Sequence, residues 1–154
     1  VKYYAGIGSR ITPQPILDEF KLIAAQLEER GFTLRSGGAN GADKAFEYST
    51  KIKEIFTHYK CTDAALEHAS KFHPNWNACS YIAQKLHGRN SMIILGENLD
   101  SPVDFVICWT MNGLERGGTG QALRIAKSLN IEVLNRGSMS HTELTNRIGL
   151  INLV

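Results

Sequence analysis

Apolar residues along this chain come in short bursts separated by glycine-rich turns. Lys2 to Ile7 is a brief apolar run closed by Gly6-Ile7-Gly8-Ser9-Arg10, the pattern of a buried strand entering a tight turn. Ile16, Phe20, Ile23, Ala24 and Leu27 then recur at helical spacing, with Pro13 and Pro15 suited to a first turn and Gly31 ending the run. Phe32 to Leu34 restarts as a strand. The glycine-rich loop Ser36-Gly37-Gly38-Ala39-Asn40-Gly41-Ala42-Asp43 follows and opens a helix around Ala42 to Thr50, and Lys53 to Thr57 is a third strand.

From Tyr59 to Asn90 the period is lost, apart from helical patches at Ala64 to Phe72 and Ala78 to Leu86 with a break at His73-Pro74-Asn75-Trp76. Val103 to Trp109 is the clearest buried strand and ends at the turn Thr110-Met111-Asn112-Gly113. A second glycine loop, Arg116-Gly117-Gly118-Thr119-Gly120, leads into a helix carrying Ala122, Leu123, Ile125, Ala126 and Leu129, and Ile131 to Leu134 is the last strand. Strands alternating with helices predict an α/β fold: a single Rossmann-like three-layer α/β/α domain over residues 1–154, with a parallel sheet of about five strands and a helical insert at about 59–90. In such a sheet every strand-to-helix loop lies at the carboxyl edge, where ligands bind at the switch point.

Composition narrows the function. A length of 154 residues with 43% hydrophobic and 21% charged residues fits one globular core, and a net charge of +2 gives no bulk attraction for polyanions, so any phosphate contact is local. No apolar run approaches the roughly 20 residues that span a bilayer, which predicts no membrane partner. The first residues read as a buried strand rather than an export signal, so a cytoplasmic location is expected. Cys61, Cys79 and Cys108 are odd in number without a Cys-x-x-Cys spacing and read as reduced thiols, Cys108 in the core. His58, His68, His73, His87 and His141 form no ligand motif, so neither a metal site nor a cofactor is predicted. Met139 to Val154 is open between a docking helix and a dimer contact.

The glycine loops carry the candidate chemistry. A helix N-terminus presents unpaired N–H groups and the positive end of the macrodipole, and glycine lets an anion approach the backbone. Neither loop has the Gly-x-Gly-x-x-Gly or P-loop pattern, which disfavours a standard dehydrogenase or NTPase. Gly8, Ser9 and Arg10 form one expected wall, with Arg10 read as a phosphate clamp against the alternative of a solvated arginine. Ser36, Gly37, Gly38, Asn40, Gly41 and Asp43 form the second, Asp43 being either a helix cap or a ribose ligand. Gly117, Gly118, Thr119 and Gly120 are expected to hold phosphate, with Thr110 and Gln121 expected to read the rest of the ligand, sugar or base. Trp109 is either core or the floor on which a base stacks.

Ser36-Gly37-Gly38-Ala39-Asn40-Gly41-Ala42-Asp43 resembles the SGGAxGxD loop of the DNA-processing DprA (Smf) family. Tyr4-Ala5-Gly6-Ile7-Gly8-Ser9-Arg10 and Gly117-Gly118-Thr119-Gly120 with Arg124-Ile125-Ala126 resemble the same superfamily, called SLOG, over Tyr4 to about Leu134. That superfamily joins DprA with the LOG phosphoribohydrolases, molybdenum-cofactor carriers and nucleotide-sensing antiphage domains. His87-Gly88-Arg89-Asn90 and Cys108-Trp109-Thr110 resemble a small DprA-like subgroup frequent in phages and mobile elements, from which no activity carries over; Arg89 and Asn90 are further expected ligand contacts. The resemblance implies a Rossmann-like fold, nucleotide binding and a homodimer or higher homo-oligomer.

Departures from the family pattern decide what is expected of it. LOG enzymes use an arginine and a glutamate, and the position nearest that glutamate here is Gln121, an amide that takes no proton. Arg89 resembles the LOG arginine loosely, through an expected place before a helix; the alternative is an insert arginine paired to a carboxylate. Glu115 is a substitute catalytic candidate, against a solvated loop residue, and Asp104 marks a strand start. DprA binds single-stranded DNA with further domains. Tyr59, Lys60, Lys71, Phe72, His73 and Trp76 are a thin version of the basic and aromatic interleaving such binding uses, unless Phe72 and Trp76 pack the insert. The expected function is therefore binding of a nucleotide or nucleotide-derived ligand, to sequester or sense it. The alternatives are a nucleotide N-glycosidase and a minimal single-stranded DNA binder.

Overall fold

A computed structural model describes residues 2–149. Strands β1 (Lys2–Gly6), β2 (Phe32–Ser36), β3 (Lys53–Ile55), β4 (Phe105–Cys108) and β5 (Glu132–Asn135) form one parallel sheet in the order β3-β2-β1-β4-β5. Between and after them lie α1 (Gln14–Glu29), α2 (Ala42–Tyr48), α3 (Asp63–Ser70), α4 (Tyr81–Leu95), α5 (Gly117–Ser128) and α6 (His141–Arg147), with 3₁₀ turns at His58–Lys60, Trp76–Ala78 and Met111–Gly113. The order reverses at β1, which pairs with β2 on one side and β4 on the other, so the switch point lies above the β1 and β4 ends.

Alternation along the strands builds the two faces. Tyr4 and Ile107 point into a core with Phe20, Ile23 and Leu27 of α1, Phe46 of α2 and Leu144 of α6. Ala5 and Val106 point the other way, onto Ala65 of α3, Met92 to Leu95 of α4 and Leu123 and Ile125 of α5. The result is the expected three-layer, Rossmann-like α/β domain. Gly31, at φ +86°, ends α1, and Arg30 Nη1 donates to Ile148 O at 2.7 Å, tying α1 to the end of α6. Leu144 and Ile148 are buried on the α1 face, so this part of the C-terminal segment docks on its own domain. The remainder, 150–154, lies outside the described residues.

The largest difference from the sequence reading is α4. The helical patch read as ending at Leu86 runs on to Leu95, through Gly88, Asn90 and Ser91, which are weak helix formers. A Cβ at Gly88 would collide with Cys61 Sγ and touch the α3 backbone at Leu66 N, 3.4 Å away, so glycine leaves room there for the Cys61 side chain between α4 and the start of α3. Met92, Ile93, Ile94 and Leu95 are buried beyond it. Burial of such side chains contributes about 1.5–3 kcal/mol each, which outweighs the roughly 1 kcal/mol lost by a mid-helix glycine. The second half of α4 is thus a sheet-covering crossover helix rather than a peripheral insert.

Arg35 is buried in the sheet at 2% exposure, paired with Glu54 Oε1 across β2 and β3 at 2.8 Å and stacked 3.8 Å from the Tyr3 ring centre. Among the described residues no helix is long and apolar enough to cross a membrane.

Candidate functional site

The loops after β1, β2 and β4 meet at the carboxyl edge, where α4 closes a cavity of about 620 Å³. Gly8, Ser9, Arg10, Asp43, Arg89, Asn90, Thr110, Gly117, Gly118 and Thr119, all expected as ligand contacts, line it. Ser36, Gly37, Gly38, Asn40, Gly41, Gly120 and Gln121 do not line it.

The loop after β2 acts mainly as a joint. Ser36 Oγ donates to Gly6 O at 2.6 Å and fastens β2 to β1. A Cβ at Gly41 would lie 2.5 Å from Ser9 O, and one at Gly37 would lie 2.6 Å from Arg89 Nη1. These glycines let the first loop and the α4 arginine approach the second loop, while Asn40 is exposed. Asp43 completes the joint: it sits in the first turn of α2, capped instead by Gly41, and accepts from Gly8 N at 3.2 Å and Ala39 N at 3.3 Å. Burial pushes its carboxyl up to about 6, opposed by the Arg89 charge and by backbone N–H donors. A partly protonated carboxyl on a cavity wall is competent for acid or base chemistry near neutral pH.

Arg89 was read as lying before a helix, and the structure corrects this: it lies within α4. Its Nη1 donates to Gly37 O at 2.9 Å and Phe56 O at 3.1 Å, and its Nε to Asn90 Oδ1 at 3.1 Å. Burial lowers its pKa; the Arg10 charge adds to this and the Asp43 charge opposes it. Two guanidinium groups that repel one another therefore face one cavity, and Arg116 adds a third cation at its rim. Such a wall favours an anion.

The loop after β4 is the open side. Arg116 caps α5 without a side-chain hydrogen bond, leaving first-turn N–H groups to solvent or ligand. Beyond the adjacent residues and the backbone of α5 itself, no described atom lies within 4 Å of a Cβ built on Gly117 or Gly118. Asn90 Nδ2 donates to Gly118 O at 2.9 Å, and Asn135 holds Thr110 through both its Oγ1, at 2.7 Å, and its N–H, at 3.2 Å.

An expected contact and a catalytic candidate are engaged elsewhere. Gln121 is fully buried, its Nε2 donating to Ala69 O at 3.1 Å and its Oε1 accepting from Arg124 Nη2 at 2.7 Å, so it locks α5 to the insert. Glu115 turns away to pair with Lys127. Trp109 packs against the core on the α1 face and is absent from the cavity wall. Phe72 packs on the opposite core, and Tyr59 is exposed.

Sequence reasoning missed the α4 side of the cavity, Ala83, Leu86 and His87, and the rim residues Met111, Asn112, Leu114 and Arg116. Ala83 and Leu86 fall in the predicted helical patch, but spacing along the chain carries no signal that this helix runs on past Gly88 to close the cavity. It also missed a cluster: His73, Cys79 and His87 bring their ligand atoms within 4.8 Å of one another. Burial, then His73, Arg124 and Arg89, lower the His87 pKa to about 4, so its ring is neutral at physiological pH. The Cys108 thiol is pushed up to about 12 by burial and is chemically silent.

The chain matches no family model, no curated protein and no solved structure.

Proposed function

We propose that this protein binds a nucleotide or nucleotide-derived ligand in the carboxyl-edge cavity, with the phosphate at the α5 N-terminus and the organic part toward α4. The observation that carries this reading is the pairing of open glycines with cations. Gly117 and Gly118 face empty space, and Arg10, Arg89 and Arg116 line the same cavity. A helix N-terminus of this kind receives an anion through backbone N–H groups and the macrodipole. The volume of about 620 Å³ accommodates a mononucleotide-sized ligand. Ala83, Leu86, Met111 and Leu114 supply an apolar surface for a base. The SLOG resemblance supports the same ligand class. Sequestration or sensing of a signalling nucleotide follows from binding without turnover.

A second reading is favoured by Asp43. Hydrolysis of a nucleoside monophosphate adds water at the anomeric carbon and releases the base and a pentose phosphate. Asp43, with its raised pKa, is the cavity carboxyl able to orient that water, a role Glu115 is badly placed for.

The test is to incubate the protein with mononucleotides, NAD, ADP-ribose and cyclic nucleotides, following thermal stability and the mass spectrum of the supernatant together. A stabilising compound recovered intact supports the binder. Release of free base overturns it in favour of the N-glycosidase, and neither a shift nor a product with any compound overturns both.

A further inference from the structure

We propose that His73, Cys79 and His87 form a metal site for a borderline-soft divalent ion, zinc above all, with a fourth position left to water or to an anionic ligand. The three side chains come from one stretch of the insert. His73 precedes the 3₁₀ turn Trp76–Ala78, Cys79 follows that turn, and His87 lies two turns into α4. The intervening backbone is fixed: Ser80 Oγ caps α4 by accepting from Ala83 N at 3.1 Å, and Gln84 Nε2 donates to Trp76 O at 3.2 Å.

Two imidazoles and a thiolate are the donor set zinc prefers over magnesium or calcium. With Zn–N near 2.0–2.1 Å and Zn–S near 2.3 Å, tetrahedral ligand atoms stand roughly 3.3–3.7 Å apart. Cys79 Sγ already lies 3.8 Å from His73 Nε2 and 3.9 Å from its Nδ1. All three ligand atoms fall within 4.8 Å of one another, so rotations of half-buried side chains close the remaining gap. The rings of His73 and His87 are 4.4 Å apart, with Trp76 beside both. His73 Nδ1 accepts from Asn75 N at 3.0 Å, a bond that a metal at that nitrogen would replace.

An independent observation points to a missing partner. His87 Nδ1 is buried and has no hydrogen-bond partner, which is costly for a polar ring atom unless something binds it. His87 also lines the cavity, so an ion here is adjacent to it.

The test uses untagged, chelator-treated protein and cobalt(II) as a spectroscopic probe, followed by zinc competition. The expected result is one ion per chain, with a thiolate-to-cobalt charge-transfer band and the visible bands of a tetrahedral ion, all lost on adding zinc. Cys79→Ser removes the charge-transfer band. His87→Gln weakens binding by roughly tenfold or more, since removing a ligand costs at least what removing an outer partner does. Cys61→Ser leaves both unchanged. Thermal unfolding in chelator establishes that each variant is folded. The proposal is overturned if wild-type protein gives no thiolate band, or if the band survives Cys79→Ser.

Discussion

The two glycine loops carry the same signal in the sequence and perform different tasks. In the loop after β2, a Cβ on Gly37 or Gly41 would collide with Arg89 or with the backbone of Ser9 and Arg10. In the loop after β4, Gly117 and Gly118 have open space where a Cβ would go, while Gly113 and Gly120 on either side of them are packed, a Cβ there lying 2.5 Å from Ser138 Cβ and 2.7 Å from Glu115 C respectively. The first loop is a joint between parts of the protein. The second is a mouth. Adjacent glycines say that a backbone is approached closely, and the neighbours decide whether the approaching group is protein or ligand.

The strongest way to break this comparison is Gly41→Ala. With φ at +88° and Ser9 O at 2.5 Å, strain and overpacking together cost about 3 kcal/mol or more. Urea unfolding measures it, and a loss under about 1 kcal/mol would remove the joint.

Next comes Asp43. Its carboxyl holds a proton to about 6 in the folded state, against an ordinary value of 3.8. The stability it adds is therefore fully present below pH 3.8 and lost as the pH rises through about 6. That difference converts to about 3 kcal/mol. Subtracting the Asp43→Asn unfolding free energy from that of the wild type at each pH is expected to give a difference that falls over this window and is level above it. A difference constant from pH 4 to 7 contradicts the assignment.

Gly118→Ala acts on the mouth. An added methyl meets no protein atom, so the fold is expected to gain roughly 0.5 kcal/mol through lower unfolded-chain entropy. Nucleotide affinity is expected to fall about tenfold, equivalent to about 1.4 kcal/mol, as read by calorimetric titration. Loss of stability without loss of affinity reverses the comparison. The smallest effect is expected of Glu115→Gln. Its pair with Lys127 is exposed on the lysine side, so stability changes by under about 0.5 kcal/mol, and nucleotide binding, measured in the same titration, is unchanged.

The sheet half of the molecule was legible because its rules are local. Alternation, helical spacing and glycine stops place β1, α1, β2 and α5 within a few residues of their observed bounds. The insert was opaque for a physical reason. Gly88, Asn90 and Ser91 interrupt helix propensity, and what carries α4 through them is contact with α3, with Gly118 and with the sheet, which spacing along a chain does not reveal. The same opacity hid the cavity's α4 wall and the convergence of His73, Cys79 and His87. The fate of Gln121 was also a tertiary matter: its amide is as suited to Ala69 O and Arg124 as to a sugar, and the packing of α5 on the insert selects the former.

The central claim is that the α5 mouth, and not the α2 joint, receives the anion. The most direct measurement is the backbone amide spectrum of ¹⁵N-labelled protein during titration with the nucleotide that stabilises it most. The amides of Gly117 and Gly118 are expected to move most, those of Gly8 and Arg10 to follow, and those of Gly37 and Gly41 to move least. Shifts concentrated on Gly37 and Gly41, with Gly117 and Gly118 unmoved, would contradict the central claim.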